Sequence, residues 1–191
     1  LEEPARGMLN ILVSHKPQQL RPTILSRCLA LAMPMPMPEA SIAWLKARAI
    51  EQPQTLLAQA GFAPLLAGQL AEEAAGTDEY RRFLQEIRQP AKMDVFALAE
   101  QLQKTEPAKV IHWLQQWCYD LGSAKLAGKV RYNLELAEAI KGLAAKVSAL
   151  ELSRFQKELL SARREALHPL NARLQFESLL LSYRQLMLAV A

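Results

Sequence analysis

The side chains able to do chemistry are few, and they are scattered along the chain. Arg27 stands in Arg21-Pro22-Thr23-Ile24-Leu25-Ser26-Arg27-Cys28. A guanidinium there either pairs with a local carboxylate or reaches off the surface to an anion, where its planar fork donates in fixed directions. Cys28 and Cys118, with His15, His112 or His168, are the sulfur-and-base combinations a nucleophilic mechanism would need. No local catalytic signature joins them. Both cysteines sit among apolar neighbours and lack metal-ligand spacing, which suits small buried hydrophobes; no metal site is expected. No phosphate-cradling Gly-x-x-x-x-Gly-Lys-Ser/Thr loop occurs. Lys125, Lys129 and Arg131 fall in a glycine-punctuated stretch over 122–132 that reads as a mobile, solvated loop, with a phosphate contact as the alternative.

Helices must position these groups. The 191 residues are 51% hydrophobic with only seven glycines, and Ala and Leu dominate, a balance that favours helix over sheet. Two short apolar runs, Met8-Leu9-Asn10-Ile11-Leu12-Val13 and Leu29-Ala30-Leu31-Ala32, read as buried strands. Between them Lys16-Pro17 forces a turn and 18–25 allows one or two helical turns, so Arg27 lies where a short helix gives way to a strand. Met33-Pro34-Met35-Pro36-Met37-Pro38 must run extended, as a hinge or a spacer, and delivers Pro38 to the first turn of a helix. Helices follow over 39–51, over 55–60 closed by Gly61, and over 64–75 closed by Gly76. Longer ones follow over 78–89, capped by Thr77 or Asp78, then 94–104, 107–121 and 134–147. Another runs over 148–167, opened by a Ser148/Glu151 capping box.

The last helix, 172–190 behind Asn171, has two apolar rows: Phe176, Leu179, Leu180, Tyr183, Leu186, Met187 and Val190 on one side, Leu174, Leu181 and Leu188 on nearly the opposite side. Such a helix is either central in its own domain or covered on its second row by a partner. On the 107–121 helix, Val110, Ile111, Leu114, Trp117, Cys118 and Leu121 share the buried face and His112 points away. A formal net charge of +4 and pI near 9.2 permit nucleic-acid contact without arguing for it. Arg81, Arg82 and Arg88 do not assemble with other base-reading side chains into a recognition helix. No apolar run is long enough to span a bilayer and no signal-peptide pattern opens the sequence, so a reducing cytoplasm is expected.

Leu1-Glu2-Glu3-Pro4, Ile11-Leu12-Val13-Ser14, and Leu20 with Pro22-Thr23-Ile24-Leu25-Ser26-Arg27-Cys28 together resemble the last third of an AAA+ ATPase core of the clamp-loader family. The sequence begins in mid-motif, as a fragment would. The resemblance implies three parts: the tail of an AAA+ core over 1–33, a lid domain over 34–76 and a helical collar over 77–191 that joins subunits into a ring. It makes Arg27, in the triplet Ser26-Arg27-Cys28, a trans-acting finger on the ATP and Mg²⁺ of a neighbouring subunit, and Ser14 the counterpart of the sensor-1 position. Hydrolysing relatives of gamma/tau type carry an arginine shortly after a glycine in the lid; here Gly61-Phe62-Ala63-Pro64-Leu65 has none, which favours a non-hydrolysing subunit with no catalysis or cofactor of its own. Gamma/tau and delta subunits are the implied partners through the collar, with primer-template DNA and the sliding clamp met by the assembled complex. Leu170-Asn171-Ala172-Arg173-Leu174 and Leu179-Leu180-Leu181 resemble, more loosely, the end of such chains.

Overall fold

A computed structural model describes residues 7–14, 16–72, 74–166 and 171–189. Leu1 to Pro4, His15, His168, Leu170 and Val190 lie outside the described residues. Ten α-helices and no strand occur among the described residues, so the chain is mainly α. It divides into two compact units, Leu1–Met35 and Pro36–Ala191.

In the first unit, a 3-10 turn over Pro17–Gln19 is followed by α1, Pro22–Leu25, with proline in its first turn. The two apolar runs are not buried strands. Leu9, Ile11, Val13, Leu29 and Leu31 are each 78% or more exposed. A strand persists only where its backbone groups are paired and a face is covered. Among the described residues no backbone partner meets either run, so apolar composition alone left them uncovered.

The second unit starts from Pro36, inside the extended Met-Pro run, with Met33, Met35 and Met37 exposed. Three short helices, α2 (Pro38–Lys46), α3 (Pro53–Gln59) and α4 (Pro64–Glu72), each open on a proline, where the missing N–H costs no helical hydrogen bond. Left-handed backbone at Ala49 and Gln52 separates α2 from α3, so the first helix ends earlier than its sequence pattern. These helices close over a small core of Leu45, Leu57, Ala60 and Ala67, flanked by Ile42, Trp44 and Leu70.

The remaining helices build a larger core. Gly76 does not close a helix: α5, Ala74–Ile87, runs straight through it. A helix tolerates an interior glycine at about 1 kcal/mol, and α5 recovers it by burying Tyr80, Phe83, Leu84 and Ile87 at helical spacing. Then come α6 (Val95–Leu102), α7 (Pro107–Ala127), α8 (Ala137–Lys146), α9 (Ala149–Glu165) and α10 (Ala172–Leu188). Asp94 caps α6, its side chain accepting from the amides of Phe96 and Ala97. Ser148 caps α9 by accepting from the Glu151 amide, but the capping box is only half made, since the Glu151 carboxylate turns to Arg154 at 2.6 Å.

At the centre is α7, packed against α8 and α9, while α10 packs on α6 and α9. It is one turn and more longer than its apolar pattern announced, ending at Ala127 with Gly128 in the left-handed cap. Gly122, read as the start of a loop, is inside the helix where it passes Leu152. Tyr183 of α10 is wholly buried; its hydroxyl accepts from the Trp117 indole at 2.9 Å and donates to the Ile87 carbonyl at 2.8 Å, tying α10, α7 and α5. Burial, with the neighbouring Cys118, raises the Tyr183 pKa and keeps the phenol protonated.

Candidate functional site

Three places collect the residues singled out by sequence: the α1 segment, the α10 surface and the loop after α7. In the first, Arg27 follows α1 with its backbone N–H on the Ile24 carbonyl at 3.1 Å, and the residue is exposed. Ser26 Oγ donates to the Thr23 carbonyl, closing the same turn. Ser14 is exposed, its hydroxyl accepting from the Lys16 amide at 3.1 Å. Cys28 is half-buried rather than sealed. Short turns of this kind fix where Cα27 sits while leaving a long side chain at the surface.

The sulfur chemistry finds no support at Cys118. It is fully buried, and burial pushes its thiol pKa up, away from the thiolate a nucleophile needs. His112 lies on the exposed side of α7, where partial burial and then the Arg163 charge lower its pKa. Arg163 itself donates to Gln115 Oε1 at 3.0 Å.

On α10 the two rows separate cleanly. Phe176, Leu179, Leu180, Tyr183, Leu186 and Met187 are buried, whereas Leu174, Leu181 and Leu188 are 60%, 37% and 42% exposed. The helix is therefore not covered on both sides by its own domain. Leucines at seven-residue spacing form a ridge along one side of a helix. Asn171 fixes where that ridge begins, accepting from the Arg173 and Leu174 amides at 3.1 and 3.4 Å. Beside it Arg173 donates to Glu177 at 2.8 Å, a polar flank to the apolar ridge.

The stretch over 122–132 is helix as far as Ala127 and held by hydrogen bonds at its end, although Lys129 and Arg131 stay exposed. Lys125 belongs to α7 and its ammonium donates to the Ala144 carbonyl near the end of α8. Beyond Gly128 the chain turns back onto Asp120, whose carboxylate is 0% exposed. It accepts from the amides of Arg131 (2.8 Å), Tyr132 (3.1 Å) and Asn133 (2.8 Å), and from Asn133 Nδ2 (2.9 Å). Tyr80 then donates to Asn133 Oδ1 at 2.6 Å, extending the network to α5. Burial first, and the Asp120 charge second, raise the Tyr80 pKa. Asp120 escaped the sequence reading. Its one signal was a carboxylate three positions after Trp117, inside the apolar stripe of α7. The result is a held loop that presents the Arg131 guanidinium over the Phe62 ring, 4.8 Å from its centre.

Fold and open face together define an all-helical bundle module that leaves an apolar ridge on α10 unburied. Residues 75–185 match the family described as DNA polymerase III, delta subunit, C terminal, and the chain belongs to that family. It is similar to DNA polymerase III subunit delta' of Pseudomonas aeruginosa, with 29% identity over 205 aligned residues that cover 97% of this chain and 60% of the relative. The chain thus spans 60% of the length of the curated relative it matches. No solved structure matches it. Among the described residues no helix is long and apolar enough to cross a membrane.

Proposed function

We propose that this chain acts as the collar and lid portion of a delta-prime-type, non-hydrolysing subunit of the DNA polymerase III clamp loader. The observation that carries the reading is the exposed Leu174/Leu181/Leu188 ridge, in a chain of this family whose own core is complete without it. Apolar surface left open on an otherwise filled bundle marks an association site. Subunits of gamma/tau and delta type cover the ridge, the part of each leucine still exposed contributing about 0.5–2 kcal/mol when buried. Primer-template DNA and the sliding clamp are then met by the assembled ring.

Arg27 acts in trans on this reading. Its exposure directly after a short, turn-anchored helix supports a guanidinium that reaches the γ-phosphate of ATP bound by the adjacent subunit. Charge builds on the transferring oxygens during phosphoryl transfer, and a fixed cation there is worth about 10³–10⁵ in rate. The chain supplies no ATP or Mg²⁺ of its own to this step.

Two variants test the proposal in a reconstituted loader. Leu174→Asp/Leu181→Asp should abolish co-elution of the chain with hydrolysing subunits in size-exclusion chromatography while its circular dichroism is unchanged; co-elution that persists removes the collar assignment. Arg27→Ala should leave assembly intact and lower DNA- and clamp-stimulated ATP turnover by at least about tenfold. Unaltered turnover would retire the finger.

A further inference from the structure

A cleft of about 510 Å³ opens in the second unit between the short helices and the α7 end of the bundle. Its walls are Ile42, Leu57, Phe62, Tyr119, Val130 and Leu134, and its charged residues are Lys129 and Arg131 alone. Among the described residues no carboxylate lines it. The larger cleft beside Trp44 is different, balancing Arg48 and Arg81 against Glu51, Glu72 and Asp78. The cleft on α9 and α10 is lined by Glu158 and Glu165. An apolar groove whose charged lining is cationic is complementary to a ligand that joins apolar and acidic groups.

The groove is also built rather than incidental. Asp120 grips the backbone at positions 131–133, which sets Lys129 and Arg131 at its rim without using their side chains. Gln116 donates to the Gln59 carbonyl at 2.8 Å, joining α7 to α3, the two helices that supply Tyr119 and Leu57 to the walls. Leu134 and Tyr119, at 42% and 43% exposure, leave apolar wall open to an incoming side chain.

The geometry points to this cleft as a docking groove for an acidic peptide segment of a partner protein, one that seats an apolar side chain between the walls and aims an adjacent carboxylate at Lys129 and Arg131. A single nucleic-acid strand fits less well. Such a strand needs cations spaced along its backbone and free ring faces for stacking. Here the cations are only two residues apart in sequence, and Arg131 already covers a face of the Phe62 ring. The groove uses none of Arg27, Leu174, Leu181 or Leu188, so its test and the assembly test fail separately.

The probe is a random-peptide phage library panned on the 191-residue chain, followed by fluorescence anisotropy with a labelled peptide of the recovered consensus. Recovered sequences should pair Asp or Glu with Leu or Phe. Lys129→Glu/Arg131→Glu should weaken the labelled peptide by at least about tenfold, and raised salt should weaken it further. Leu134→Ser should weaken it too, without weakening an oligo-aspartate control. Melting temperatures should match the parent, because Asp120 holds backbone. The proposal is overturned if no acidic consensus emerges, if the charge-reversed protein keeps its affinity, or if oligothymidylate displaces the peptide from the parent chain.

Discussion

Asp120 holds more of the surface chemistry in place than any residue chosen by type. Three backbone amides and one side-chain amide converge on its carboxylate in a site closed to water. Asp120→Asn keeps the volume but sets an NH₂ against N–H donors. We expect a loss of about 2–3 kcal/mol, or roughly 5–10 °C in melting temperature for a chain of this size. Hydrogen exchange at amides 131–133 is the direct check; undiminished protection there would show that the loop does not depend on the carboxylate. His112 makes a pH prediction. Its folded pKa is lowered by partial burial and by Arg163, so the unfolded chain binds the proton more readily. The resulting stability is fully present above the unfolded value of about 6.5 and is lost as pH falls through the lower folded value. His112→Gln should therefore flatten the decline in melting temperature between neutral and mildly acidic pH, whereas Arg163→Gln should raise the His112 pKa in an NMR titration.

Among the elements, α7 and its cap separate two glycines that look alike in sequence. Gly128 takes a φ of +66°, a left-handed geometry in which a side chain is strained even in open space. Gly122 sits in regular helix, where an added methyl would meet Leu152 at an ordinary 3.6 Å. Gly128→Ala should cost about 1–2 kcal/mol, while Gly122→Ala should be neutral or gain up to about 1 kcal/mol from helix propensity. Denaturant melts of the two variants decide the matter: equal shifts in one direction would contradict this difference. The exposed row of α10 belongs to the same scale. Its outward leucines were visible as a helical periodicity, but only the packed bundle showed that the domain does not cover them.

For the whole molecule, the two hydrophobic cores found among the described residues lie within the second unit, one over residues 42–70 and the other over residues 80–187. A chain lacking residues 1–35 should then melt within about 2 °C of the parent, the range of changes remote from a core. A drop well beyond that would mean that the first unit contributes to the stability of the second.

Periodicity wrote the helices into this sequence. The buried face of α7, the Asn171 cap, and the short helices opened at Pro38 and Pro64 follow from local rules that need no knowledge of distant residues. Tertiary structure decided what depends on partners far along the chain. The apolar runs at 8–13 and 29–32 had strand composition but no strand partner among the described residues. The fixing of Arg131 was settled by a carboxylate eleven residues away, and the groove by Ile42 of α2, more than seventy residues before Tyr119 on its other wall. Spacing along a chain fixes which side chains share a helix face, whereas pairing, burial and cleft formation depend on contacts that only folding brings together.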